Sequence, residues 1–158
     1  GMGGSTLGTQ SIYGFLKDVV KKDFIFIDNL RQKKLNIKNN KHVNLVVSKS
    51  GNTIETVVNS NIYIRRKDAN IFITENNDNY LLKLANKLKA EIVHHNNYIG
   101  GRYSVLSEVG MLPAELMGLD ANKFRQLNSL IKNKQFINSL VSGLVQHLTI
   151  LKIKNIIQ

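Results

Sequence analysis

The sequence contains no cysteine, which removes disulfide frameworks, thiolate metal sites and thiol nucleophiles together. The secreted mini-protein, zinc-finger and cysteine-hydrolase classes go with them, and a reducing cytoplasm is permitted. A single proline and only eleven glycines are incompatible with a collagen-like or low-complexity fibre. Long apolar runs are also missing. The most apolar late stretch, from Ser139 to Ile157, is interrupted by Ser142, Gln146, His147, Lys152, Lys154 and Asn155, whereas a bilayer span needs about 20 apolar residues. The opening Gly1-Met2-Gly3-Gly4-Ser5 lacks the basic and apolar regions of a secretory signal, so neither membrane nor export is expected. Acidic residues are scarce as well, 11 against 22 lysines and arginines, for a net charge of +11. That excess attracts polyanions. The lysines are scattered in pairs such as Lys21-Lys22, Lys33-Lys34 and Lys132/Lys134, however, with no aromatic-rich RNA-binding signature among them. Specific nucleic-acid binding is therefore not expected.

What remains is a chain that should fold. It has 42% apolar and 21% charged residues over 158 positions, enough for one domain with a buried core. Short β-branched or aromatic runs alternate with helical patterns, as in βαβ units. The predicted strands are Phe24 to Ile27, Val43 to Val47, Asn70 to Ile73 and Glu91 to Val93, mostly apolar without strict alternation, as strands buried on both faces are. Ile12/Leu16/Val19/Val20, Ile54/Val57/Val58 and Leu81/Leu84/Ala85/Leu88 recur at helical spacing. The first of these stripes predicts a helix from Thr6 to Lys22. After Arg102 the pattern is helical almost to the end, with Pro113 expected to bend or break the first segment. The expected fold is a three-layer α/β/α sandwich around a mainly parallel sheet, with a helical C-terminal part.

Both ends read as interrupted. Gly1 to Ser5 has the character of a glycine turn that follows a strand, and Lys154-Asn155-Ile156-Ile157-Gln158 that of a strand begun and not finished. The expectation is a single domain over 1–158, truncated at both ends and lacking its first strand.

Three unusual local sequences fall where an α/β sheet places ligands, at the carboxyl ends of strands. In Gly3-Gly4-Ser5-Thr6-Leu7-Gly8, backbone N–H groups can approach an anion at a helix N-terminus, although a tight strand-to-helix turn explains the glycines equally. Thr9 stands where a Walker loop requires lysine. In Ser48-Lys49-Ser50-Gly51-Asn52-Thr53-Ile54-Glu55-Thr56, the hydroxyls of Ser48, Ser50 and Thr53 crowd one turn before a helix, which suits a phosphomonoester. Asn52 with Glu55 also resembles a capping box. In Tyr98-Ile99-Gly100-Gly101-Arg102-Tyr103-Ser104, two glycines allow a guanidinium to be presented into a crevice, where it can stabilise a developing oxyanion; a surface arginine after a loop is the competing reading. Adjacent His94 and His95 at a strand end point to opposite faces, so a shared metal is not expected. Glu108 reads most simply as a solvated or capping carboxylate.

These windows resemble the phosphoglucose isomerase family, within the sugar-isomerase (SIS) superfamily. Gly1 to Gly8 is similar to its first glycine loop and Ser48 to Thr56 to its phosphate loop. Asn97 to Pro113, through Gly100-Gly101-Arg102-Tyr103-Ser104 and Val109-Gly110-Met111-Leu112-Pro113, is similar to its signature segment. The resemblance implies reversible isomerisation of glucose 6-phosphate and fructose 6-phosphate through an enediolate, without metal or cofactor, by a cytoplasmic homodimer in the complete protein. It implies that Gly4 and Ser5 line the sugar site, and that Ser48, the Lys49 backbone N–H, Ser50 and Thr53 bind phosphate. Gly101 and Arg102 then lie beside the reacting carbons, with Arg102 stabilising negative charge on the enediolate oxygens. Ser50-Gly51-Asn52 departs from the threonine and aromatic residue that many members carry. The family's general base, ring-opening histidine and late lysine fall in segments beyond Gln158, so the chain alone is expected to be inactive. The alternative is a non-catalytic SIS module that senses a sugar phosphate.

Overall fold

The computed structural model describes residues 1–30 and 42–156, the last four as backbone only. The Lys33-Lys34 pair and the final residues 157 and 158 lie outside the described residues. Two compact units form, Gly1–Ala121 and Asn122–Gln158.

Among the described residues of the first unit the sheet has three strands in the order β1-β2-β3: β1 (Val43–Val47), β2 (Ala69–Glu75) and β3 (Glu91–His95). Both pairings are parallel, with Val47 opposite Ile73 and Ile73 opposite Val93. The central strand is covered on both faces because side chains alternate along it. Phe72 joins Val46 beneath Leu81, Ala85 and Val57, which come from α2 (Ile54–Tyr63) and α3 (Tyr80–Leu88). Ile73 joins Val47 and Val93 beneath Val109 and Leu112 of α4 (Glu108–Leu116). Helices therefore lie on both sides of a parallel sheet, the three-layer α/β arrangement expected from the alternation. Phe72, Ile73 and Leu81 are completely buried, each contributing about 1.5–3 kcal/mol.

Three expectations about local structure are corrected. Residues 24–27 are not a strand. The rings of Phe24 and Phe26 both pack on Tyr13, with centroids 5.8 and 5.6 Å away, while Ile25 between them is exposed. This apolar segment covers one face without joining a hydrogen-bonded ladder. The helix predicted from Thr6 to Lys22 is shorter, α1 (Leu7–Phe15). Beyond Ile12 its residues are no longer buried, and a helix end without a packed face gains little from propensity alone. Pro113 does not break α4. Lacking an N–H, it leaves the Val109 carbonyl without its intrahelical donor, and the buried Thr9 hydroxyl of α1 donates to that oxygen instead, at 3.2 Å.

The β1–α2 loop is pinned from behind by the start of α3. Gly51 is in the left-handed region at φ +65°, and a methyl group there would come within 1.9 Å of Asn79 Oδ1. Asn79 cannot retreat easily. It is buried, accepts from the Leu82 N–H at 2.8 Å, and donates to Asn77 Oδ1 at 2.8 Å and to the Glu75 carbonyl at 3.2 Å. Gly51→Ala is expected to destabilise the fold by about 2–4 kcal/mol through backbone strain and the disrupted asparagine network. Chemical denaturation of the purified protein measures it; an unchanged midpoint would contradict it.

The second unit is helical. After α5 (Ala121–Phe124), whose first residue belongs to the first unit, come α6 (Asn128–Ile131) and the long α7 (Lys134–Ile156). Residues 154–156, expected to begin a strand, continue this helix. Leu140, Val141, Leu144 and Leu148 along α7 stay more than half exposed. Among the described residues, no helix is long and apolar enough to cross a membrane.

Candidate functional site

All three polar windows sit at the carboxyl end of the sheet. Immediately after β1, the Ser48 N–H donates to Ile73 O at 3.0 Å, and the Lys49 carbonyl accepts from the Glu75 N–H at 3.1 Å. These bonds fix where the loop leaves the sheet. Within it the three hydroxyls predicted from sequence are gathered: Ser48 Oγ is 3.0 Å from Thr53 Oγ1, and Ser50 Oγ is 3.5 Å from the same atom. Ser48 is buried, Thr53 half-buried and Ser50 exposed. No backbone carbonyl among the described residues accepts from the N–H of Lys49 or Ser50.

The capping box is not formed. Thr53 is the N-cap of α2 and makes no side-chain cap. Asn52 reaches the other way, its Oδ1 accepting from the Tyr80 N–H at 2.9 Å at the start of α3. The leading N–H groups of α2 therefore face the hydroxyl cluster without a competing side-chain cap, which leaves the positive end of the helix available to an anion.

The first glycine loop lies between the end of β1 and the Arg102 backbone. Gly3–Ser5 forms one turn of 3-10 helix ahead of α1. At its start Gly1 is pressed on the end of β1, where a methyl group would be 2.7 Å from the Val47 carbonyl oxygen. At its end Gly4 is pressed on the third window, where a methyl group would be 2.3 Å from the Gly101 carbonyl carbon and 2.9 Å from the Arg102 nitrogen. Only glycine allows two backbones so close. Ser5 is half-buried in the same turn. Ser104, fully buried, donates to Gly101 O at 2.7 Å and lies 3.4 Å from Gly4 O. Gly101–Leu106 is a 3-10 segment with the Arg102 side chain exposed. Gly4, Leu7, Gly8, Gly101, Arg102 and Val105 line a cleft of about 160 Å³.

The structure thus brings together Gly4, Gly101 and Arg102 as one group, and Ser48, Ser50 and Thr53 as another, with Gly1–Ser5 packed between the end of β1 and Gly101. Three residues go beyond what the sequence indicates. The Lys49 side chain pairs with Glu75 at 3.3 Å and donates to the Asn97 carbonyl at 3.0 Å, so it ties the hydroxyl-rich loop to the segment that leads to Arg102. His95, 2% exposed, binds Glu108 through Nδ1 and lies 3.1 Å from Ile99 O through Nε2. Glu108 is therefore not simply solvated: it partners His95 as well as accepting from its own N–H in the first turn of α4. Strand alternation was the available signal: it places His95 on the same face as half-buried Val93, where a polar ring requires partners.

Burial tends to raise the Glu108 pKa, but hydrogen bonds from its own N–H, from His95 and from the Asn96 N–H together hold it below the usual 4.5. A carboxylate favoured by the fold contributes stability above its unfolded pKa and loses it as pH falls through the lower folded value. The stability advantage of the native protein over Glu108→Gln is therefore expected to shrink as pH drops below 4.5. Urea unfolding at several acidic pH values measures this, and a constant difference would contradict it.

A parallel three-layer sheet of this kind places ligand sites beyond the carboxyl ends of its strands, which is where the hydroxyl-rich loop and the glycine-flanked Arg102 lie. The phosphoglucose isomerase family profile matches residues 1–142, and the chain belongs to that family. It is 31% identical over 94% of its length to glucose-6-phosphate isomerase of Methanocaldococcus jannaschii. It is 33% identical over 92% to that of Acholeplasma laidlawii, and 31% identical over 88% to that of Prochlorococcus marinus. The chain spans 30–41% of the length of these three relatives. Among solved structures, a hypothetical protein from Thermus thermophilus superposes with a TM-score of 0.75 at 24% identity, over 94% of this chain and 40% of that one. That likeness is one of fold.

Proposed function

We propose that this chain is the sugar-phosphate-binding part of an aldose–ketose isomerase that interconverts glucose 6-phosphate and fructose 6-phosphate. Ser48, Ser50, Thr53 and the Lys49 backbone N–H hold the phosphate at the start of α2. Gly4 and Ser5 line the sugar. Isomerisation moves a proton from C2 of the open-chain aldose to C1, through an enediolate whose negative charge develops on the oxygens of those carbons. Arg102 supplies a fixed cation there, and its worth lies in being in place before the charge appears. The supporting observation is the packing of Gly4 directly on Gly101 and the Arg102 nitrogen, which puts the guanidinium-bearing backbone against the first glycine loop, whose Gly1 lies on the Val47 carbonyl at the end of β1.

The proton-transferring groups come from the remainder of the full-length protein, which acts as a cytoplasmic homodimer. General acid–base groups are worth about 10²- to 10⁴-fold each, so residues 1–158 alone should bind the sugar phosphate and turn it over slowly or not at all. The test is to incubate the full-length protein with fructose 6-phosphate in deuterated water. Glucose 6-phosphate carrying deuterium at C2 is the expected product, and absence of interconversion would contradict the reading.

A further inference from the structure

The segment from Asn96 to Ser107 carries Gly101 and Arg102 on an irregular path, so something must hold it. His95 is buried at the end of β3, and both its ring nitrogens face oxygen acceptors: the Ile99 carbonyl, and the carboxylate of Glu108 on α4. A carbonyl can only accept, so Nε2 carries a proton. Between Nδ1 and Glu108 a proton must also lie, since two bare acceptors repel. Hydrogen bonds from its own N–H, from His95 and from the Asn96 N–H hold the Glu108 pKa below its usual value. Glu108 also accepts from the Asn96 N–H at 3.3 Å. One buried His95–Glu108 pair therefore grips the segment at Asn96 and Ile99 and anchors it to the first turn of α4.

We propose that His95 and Glu108 form a positioning pair for Arg102: a buried hydrogen-bonded clamp that fixes the backbone path of residues 96–101 and so holds Arg102 against the first glycine loop. This rests on the reading of Arg102 as the cation that meets the developing charge, and it adds residues that touch no part of the ligand. The other charged groups around the pair are accounted for. Glu75, the register partner of His95 on β2, is paired with Lys49, and Lys49 in turn donates to the Asn97 carbonyl. His94 points to the opposite face and is exposed.

The experiment uses the full-length protein and Glu108→Gln, which keeps the side-chain shape and removes the charge. Turnover is expected to fall about 10-fold, with KM for fructose 6-phosphate changed by less than about 2-fold, because geometry is loosened at the reacting end and not at the phosphate. In an Arg102→Ala background the same change should cost little more, since residues acting through one another are not additive. In Glu108→Gln, amide signals of residues 96–102 should shift while those of 48–53 stay in place. Wild-type turnover in Glu108→Gln, an undiminished loss in the Arg102→Ala background, or unshifted amides at 96–102 would each overturn the proposal. Should Arg102→Ala itself leave turnover intact, the reading of Arg102 falls, and the positioning role proposed for the pair falls with it. The amide shifts then show whether the clamp still holds residues 96–101.

Discussion

Arg102→Ala in the full-length protein is expected to lower turnover by about 100-fold or more, with a much smaller loss of substrate affinity. The reason is the stage at which the guanidinium matters. A neutral open-chain sugar gives it little to attract, whereas the enediolate places negative charge on two oxygens, and a preorganised cation stabilises the second far more than the first. Its backbone is held on three sides, by Gly4 packed on its nitrogen, by Ser104 bonded to the Gly101 carbonyl, and by His95 bonded to Ile99. Steady-state kinetics in both directions separate the two effects. Equal proportional losses of affinity with unchanged turnover would make Arg102 a binding clamp and favour a sugar-phosphate sensor over an isomerase.

The second large effect is expected at the other end of the ligand. Ser48→Ala and Ser50→Ala together should weaken fructose 6-phosphate binding by about 2 to 4 kcal/mol, since hydrogen bonds to a charged group are worth about 1.5–3 kcal/mol each. Within the loop Ser48 and Ser50 both lie against the Thr53 hydroxyl, so the cluster is already assembled and little ordering is needed on binding. Titration calorimetry measures the change. Unaltered affinity would remove this loop from the site. Because the phosphate is not transformed in the reaction, turnover at saturating substrate should fall much less than affinity.

The sheet, its parallel order and the helices on both faces were legible because they follow from side-chain period and β-branched content, which are local properties. The segment 24–27 shows where that reasoning stops. An apolar aromatic run looks alike whether it bonds to a neighbouring strand or packs its rings on Tyr13, and the sequence of the run carries no mark of the difference. Pro113 shows the same limit: its effect on α4 depends on whether a distant hydroxyl replaces the missing donor, and Thr9 lies about a hundred residues away.

The site divides similarly. Ser48, Ser50 and Thr53 were legible because hydroxyl spacing beside a glycine is itself the signal. The capping box fails because Asn52 has a stronger competitor for its carbonyl in the Tyr80 N–H, a contact made only once α3 has docked. His95 and Glu108 were not legible as a pair, because strand alternation gives only the face that His95 takes, and it is burial of the ring that makes a partner a requirement.

The most direct test is a titration of the full-length protein with glucose 6-phosphate followed by backbone amide signals at residues 48–53 and 100–102. The account predicts that both groups shift together along one saturation curve with a single dissociation constant, and that Ser50→Ala moves the curve for both. Shifts at 48–53 alone, or two groups saturating at different concentrations, would mean that the hydroxyl loop and Arg102 do not serve one ligand.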